Sequence, residues 1–170
     1  MMKLLVVVDM QNDFITGALG SPDAQSIVPR VREKVEAFQG EVVFTMDTHS
    51  DDYLRTQEGR KLPVPHCIKG TEGWEICDEL FDMAKCRIEK PTFGYVDFPK
   101  FIMEKMGEAP EEIELVGLCT DICVISNAMI LKAAFPEIPV SVDSTCCAGV
   151  TPQSHQNALR AMESVQIEVR

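Results

Sequence analysis

Lys3-Leu4-Leu5-Val6-Val7-Val8 is a continuous, branched apolar run that stops at Asp9, and it constrains the fold more than any other stretch. A short run with no polar alternation suits a central parallel strand covered on both faces, not an edge strand with one wet side. Further strand-like segments follow at Glu41–Met46, Arg87–Glu89, Ile113–Leu118, Ile138–Asp143 and Val165–Val169. Helical spacing separates them. It runs from about Ala24 to Phe38, with Ile27, Val31, Val35 and Phe38 on one face and Gly40 closing it. It returns at Glu75–Ala84 and at Asp97–Met106, where Asp97 is placed to cap. It appears again through Ile122, Ile125, Met129 and Ala133 up to Pro136, and from Thr151 to about Glu163 with Pro152 in the first position. Strand and helix alternate throughout, which predicts an α/β fold: a three-layer α/β/α sandwich on a mostly parallel sheet. At 170 residues the chain is read as one domain, residues 1–170, with a long irregular loop at about 47–74.

Charge narrows the partners. The formal net charge is -11 and no basic run is present, so a phosphate backbone or an anionic membrane surface is not expected to bind. The N-terminal apolar run is cut at Asp9, too early for a signal-peptide core or a membrane span, which predicts a cytoplasmic protein. Seven cysteines, an odd number in an apolar-rich chain, read as reduced and mostly buried thiols. Apolar helix faces leave room for a homo-oligomer.

Ligands of an open α/β sheet bind outside the carboxyl ends of its strands. Asp9 follows the first strand, Asp47 and His49 the second, Lys90 the third and Cys123 the fourth. Base, metal ligands, cation and nucleophile thus fall at one edge. Cys123 is expected in the first turn of a helix, where unpaired N–H groups favour a thiolate and can receive an oxyanion. Asp9 is placed to take the thiol proton and Lys90 to hold the carboxylate, a set suited to acyl transfer through a thioester. Asp47 and His49 are two apart and share a side of an extended segment. With His66 they form a carboxylate and two imidazoles suited to one divalent transition metal, Zn foremost and Fe or Mn also, with Glu58 as a candidate fourth ligand. Without these companions, Cys123 would read as a core thiol and His49 and His66 as hydrogen-bonded loop residues. His155 reads as structural or surface, and Cys146 and Cys147 carry no assigned chemistry.

Four motifs stand in order: Val8-Asp9-Met10-Gln11-Asn12-Asp13-Phe14, then Asp47-Thr48-His49 with Pro65-His66-Cys67, then Lys90-Pro91-Thr92-Phe93, then Gly117-Leu118-Cys119-Thr120-Asp121-Ile122-Cys123-Val124. Over essentially its whole length the chain resembles the isochorismatase-like cysteine hydrolase family, in its nicotinamidase/pyrazinamidase branch. The resemblance implies a triad of Asp9, Lys90 and Cys123, an oxyanion hole from the N–H groups of Cys119 and Cys123, and a cis peptide between Leu118 and Cys119. It also implies a six-stranded sheet in the order 3-2-1-4-5-6, and a metal on Asp47, His49 and His66 that holds the pyridine nitrogen of a small amide substrate. Many nicotinamidases carry Trp or Phe just before the second metal histidine, whereas this chain has Leu62-Pro63-Val64-Pro65. Phe14, Phe93 and Tyr95 are then the expected ring walls. Two alternatives stay open at this stage: hydrolysis of another small carboxamide or an N-carbamoyl compound, and a binding or thiol-redox protein on the same fold.

Overall fold

The computed structural model describes residues 2–170. Its elements in chain order are β1 (Lys3–Val8), α1 (Asn12–Ile15), α2 (Pro22–Ala37), β2 (Glu41–Asp47), α3 (Gln57–Lys61), α4 (Asp78–Phe81), β3 (Arg87–Lys90), α5 (Phe98–Met106), β4 (Glu112–Leu118), α6 (Ile125–Ala134), β5 (Val140–Ala148), α7 (Pro152–Ser164) and β6 (Glu168–Val169). The strands form one parallel sheet ordered β3-β2-β1-β4-β5-β6. β1 and β4 lie side by side and the chain winds outward from them in both directions. That reversal opens a crevice at their carboxyl ends.

Both faces of the sheet are covered, which explains the unbroken apolar runs. Leu5 and Val7 of β1 point into one core with Ile27, Val28 and Val31 of α2. Leu4, Val6 and Val8 point into the other, with Ile102 of α5, Leu131 of α6 and Met162 of α7. β1 residues 4 to 8 are each no more than 1% exposed, so alternation has nothing to signal.

Several boundaries differ from expectation. The second helix starts at Pro22 because Ser21 accepts a hydrogen bond from the Ala24 N–H, and it ends at Ala37, where Phe38 turns extended. Gly40 does not close it. The glycine instead lies against the Lys3 carbonyl, 2.4 Å from where a Cβ would sit. Asp97 occupies the start of α5 but makes no side-chain cap; its carbonyl takes the Phe101 N–H at 2.9 Å. The helix expected over Glu75–Ala84 is a single turn, α4. β5 runs on past Asp143 to Ala148 through an irregularity between the pairs Leu115–Val142 and Gly117–Cys147, and β6 keeps only two residues. Asp143 is turned toward α2 there and pairs with Lys34 at 2.7 Å. No helix of the described residues is long and apolar enough to cross a membrane.

Candidate active site

The register of the sheet sets the site. Val8 lies opposite Thr45 on one side and Gly117 on the other, and Asp47 lies opposite Lys90. Asp9 therefore leaves β1 beside Thr45, with a left-handed φ of 47° that turns its side chain into the crevice. Gly117, at φ 115°, approaches β1 so closely that a Cβ would sit 2.2 Å from the Val8 carbonyl oxygen; only glycine fits there. The peptide between Leu118 and Cys119 is cis, as the family resemblance implied. Cys119 then begins a wide π turn over Thr120–Val124, closed by Val124 N–H to the Cys119 carbonyl at 3.1 Å, and this turn continues into α6. Cys123 thus sits in a π turn before α6, not in an ordinary first α-turn, a geometry often found at functional sites.

The three side chains meet out of contact with water. Lys90 Nζ lies 2.6 Å from Asp9 Oδ2 and donates to Cys123 Sγ at 3.4 Å and to the Thr92 carbonyl at 3.1 Å. Asp9 and Lys90 are 0% exposed and Cys123 4%. Thr45 Oγ1 donates to Asp9 Oδ1 at 2.6 Å and fixes the carboxylate plane. Burial pushes the Asp9 carboxyl above its ordinary value, with the Lys90 ammonium working against it and the Asp47 charge adding to it. Burial would lower Lys90, but the facing Asp9, Cys123 and Asp47 groups outweigh it and the ammonium is held charged. Burial and then the Asp9 carboxylate keep the Cys123 thiol well above its ordinary value, so it rests protonated beside a base. A buried carboxyl group, a charged ammonium and a neutral thiol form one connected set.

A second cluster adjoins it. Asp47 ends β2, His49 follows two residues on, Glu58 comes from α3 and His66 from the long loop, and one ligand atom from each lies within 4.8 Å of all the others. His49 Nε2 is 2.9 Å from Asp47 Oδ2 and 3.6 Å from Glu58 Oε1, and His66 Nε2 is 3.5 and 3.7 Å from the same two oxygens. Zinc bonds of about 2.0–2.1 Å in a tetrahedron require ligand separations of roughly 3.3–3.4 Å, and these four distances bracket that value. His66 Nδ1 faces the Val64 carbonyl at 2.8 Å, which turns Nε2 to the cluster. Burial would raise the Asp47 pKa, but both imidazoles and Lys90 outweigh it and hold the carboxyl below the carboxylate range. Two carboxyl groups, those of Asp9 and Asp47, share the single Lys90 ammonium, and Glu58 brings a further carboxyl to the cluster. A divalent cation would cancel that excess of negative charge, so donor set, spacing and charge all fit one.

Between the two clusters is a narrow cavity of about 50 Å³. Phe14, Leu19, Leu62, Phe93 and Ile122 form its apolar walls, while Cys119, Cys123, Asp47, Glu58 and His66 form its base. Phe14 and Phe93 line this cavity. Tyr95 does not: its ring packs on Phe98 at 5.9 Å between centroids, because its N–H is drawn to Asn127 Oδ1 at 2.9 Å and the chain turns away after Gly94. Tyr53, 1% exposed, sets its ring edge-on to His49 and His66, and Phe14 packs on His66 from 5.5 Å.

Four residues at the site escaped the sequence reading. Thr45 was legible in principle, since it shares the period-two side of Asp47 and His49. Gln11 stands inside the first motif and clamps Asp47, donating to its carbonyl and accepting from its N–H, both at 2.8 Å. Asn127 and Tyr53 had no local signal. His155 takes the structural one of its two readings: its Nδ1 is bonded to Thr120 Oγ1 of the π turn at 2.7 Å.

Comparison with known proteins adds a lineage. The family model for the Isochorismatase domain matches residues 3–170. The solved structure of nicotinamidase PncA from Bacillus subtilis superposes with a TM-score of 0.80 at 30% identity, covering 99% of each chain. The nicotinamidase/pyrazinamidase of Mycobacterium tuberculosis is 27% identical over 188 residues, covering 99% of this chain and 98% of its own length. The structure of N-carbamoylsarcosine amidase from Thermoplasma acidophilum reaches a TM-score of 0.80 at 27% identity, covering 100% of this chain and 96% of that one.

Proposed function

The chain belongs to the isochorismatase family, and from that premise we propose that it is a metal-containing cysteine amidohydrolase whose foremost substrate is nicotinamide, converted to nicotinate and ammonia. The carrying observation is the Lys90 ammonium joining Asp9 at 2.6 Å and Cys123 at 3.4 Å beside a cavity whose other side is the Asp47, His49, Glu58, His66 cluster.

Asp9 takes the Cys123 proton as sulfur attacks the carboxamide carbon. The carbonyl oxygen becomes an oxyanion received by the N–H groups of Cys119 and Cys123. Protonated Asp9 then gives its proton to the departing nitrogen; the C–N bond breaks, ammonia leaves and the acyl group remains on sulfur as a thioester. Asp9 next removes a proton from water, whose oxygen attacks the thioester, and collapse returns the thiol and releases the acid. Lys90 stays charged throughout and keeps Asp9 oriented. A divalent ion held by Asp47, His49, His66 and Glu58 would supply a Lewis acid for the ring nitrogen of the substrate.

The second reading is hydrolysis of another small carboxamide or of a neutral N-carbamoyl compound, favoured by Leu62 standing where an aromatic ring wall was expected. Among the described residues, no lysine or arginine lines the cavity, and two carboxylates do. An N-carbamoyl substrate carrying its own carboxylate would enter a pocket walled by apolar and acidic side chains, with no lysine or arginine side chain among them to pair it. Ammonia release from a panel of nicotinamide, pyrazinamide, aliphatic amides and N-carbamoyl amino acids tests this order. The aromatic amides are expected to turn over fastest; inert aromatic amides beside an active aliphatic or carbamoyl compound would overturn the substrate assignment. Chelator treatment is expected to raise KM for nicotinamide by about tenfold or more, since one good polar anchor is worth over 1 kcal/mol. Elemental analysis finding no metal in protein purified without chelator, with activity indifferent to chelation, would remove the metal from the account.

A further inference from the structure

Asn127 lies on α6 one turn beyond Cys123 and is fully buried. Its amide is used at three points. Nδ2 donates to the Cys123 carbonyl at 2.8 Å and to the Phe93 carbonyl at 3.2 Å, and Oδ1 accepts the Tyr95 N–H at 2.9 Å. A buried amide so fully satisfied fixes whatever it bonds, because any displacement leaves polar groups unpaired.

One thing it bonds is the nucleophile's own backbone. The other is a segment with no regular structure, Thr92–Tyr95, that carries a wall of the cavity. The Phe93 ring is held by little packing, since the residue is 45% exposed. Its place over the cavity therefore depends on its backbone. That backbone is tied at Thr92 by Lys90 Nζ and at Phe93 and Tyr95 by Asn127. Gly94 lies against the same face of α6, where a Cβ would come 2.6 Å from Ile130 Cδ1.

We propose that Asn127 is a positioning residue that determines substrate specificity, by fixing Phe93 relative to Cys123 and so setting the width of the slot that takes the ring of the amide. It does not line the cavity and acts only through these two neighbours. Its kinetic consequence rests on the amidohydrolase reading, whereas its hold on the segment does not.

Asn127→Leu removes all three bonds, and Asn127→Asp keeps the shape and the acceptor while losing both donors. Two readouts separate positioning from general stability: hydrogen exchange of the amides in residues 91–97, and kcat and KM for an aromatic and an aliphatic carboxamide. In Asn127→Leu, exchange of the 93–95 amides is expected to rise by about tenfold or more. KM for the aromatic amide should rise by about tenfold with kcat changed less than about threefold, the signature of lost binding that does not touch the chemistry. KM for the aliphatic amide should hold, and Asn127→Asp, which sets a buried carboxyl against the Cys123 and Phe93 carbonyls, should raise exchange at 93–95 at least as much as Asn127→Leu. Unchanged exchange, or equal losses on both amides carried by kcat, would overturn the proposal; if Asn127→Leu does not fold, Asn127→Asp decides by the same readouts. If the wild-type protein hydrolyses neither amide, the function proposed above fails. Exchange at 93–95 and calorimetric affinity for the aromatic amide, wild type against variant, then decide the role of Asn127.

Discussion

Cys123→Ala is expected to lower kcat for amide hydrolysis by about four to six orders of magnitude, the range seen when the nucleophile of a connected set is removed. Among the described residues, Cys123 Sγ is the thiol to which Lys90 Nζ donates, at 3.4 Å. The variant should fold, because Lys90 and Asp9 keep their 2.6 Å contact and alanine leaves no buried charge unpaired. Cys119→Ala is the matched control. Its side chain lines the cavity, but the group assigned to the oxyanion is its backbone N–H, which alanine retains. Steady-state assays on both variants check the contrast: Cys123→Ala silent, Cys119→Ala within about tenfold of wild type. Comparable activity in the two would remove Cys123 from the mechanism.

Lys90→Met is expected to damage activity and stability together. Lys90 is 0% exposed and stands between the carboxylates of Asp9 and Asp47, at 2.6 and 3.5 Å. Methionine fills much of its volume but leaves the Asp9 carboxyl buried with the Thr45 hydroxyl as its hydrogen-bond donor. Breaking a buried pair by deleting one partner costs about 3–5 kcal/mol, a large part of the stability of a domain this size. Removing both partners should cost less, so Asp9→Asn combined with Lys90→Met is expected to be more stable than Lys90→Met alone. Both variants should be inactive, since one lacks the cation and the other the base as well. Urea denaturation of the two, with metal content matched, gives the comparison. A Lys90→Met protein as stable as wild type would mean that the pair is not buried and charged as described.

What the sequence made legible is uneven in a physically intelligible way. The alternation of buried strands and amphipathic helices was readable because the inner strands are covered on both faces and the long helices on one, and those are the conditions under which hydrophobic pattern reports structure. The chemistry at the strand ends was readable for the same reason at Asp9 and Asp47, which end largely apolar runs, whereas Lys90 ends the short, mostly polar strand Arg87–Lys90 and was legible only from its place in the alternation of elements. Strand order and the cis peptide came only with the family motifs. Tertiary contact decided the rest. Ile138–Asp143 stopped too early because Asp143, Ser144 and Thr145 look like a turn, yet Cys146, Cys147 and Ala148 resume the sheet beside Gly117 and Leu118. Tyr95 looked like a partner of Phe93, and a hydrogen bond to Asn127, 32 residues away in sequence, turns it off the site. Cys123 looked like a first α-turn residue because spacing alone does not distinguish an α-turn from a π turn. Glu58, a candidate from charge and loop position, is carried into the ligand cluster by the α3 turn that Thr56 caps at the Gly59 N–H.

The central claim is that an acyl group rests on Cys123 during turnover, and rapid acid quench of the enzyme with nicotinamide followed by peptide mass mapping tests it most directly. The account predicts a nicotinoyl thioester on the peptide containing Cys123, formed and lost at rates consistent with ammonia release and absent from peptides bearing only the other cysteines. Sustained ammonia release with no acyl group on that peptide at any quench time, in a protein whose Cys123→Ala variant remains active, would contradict it.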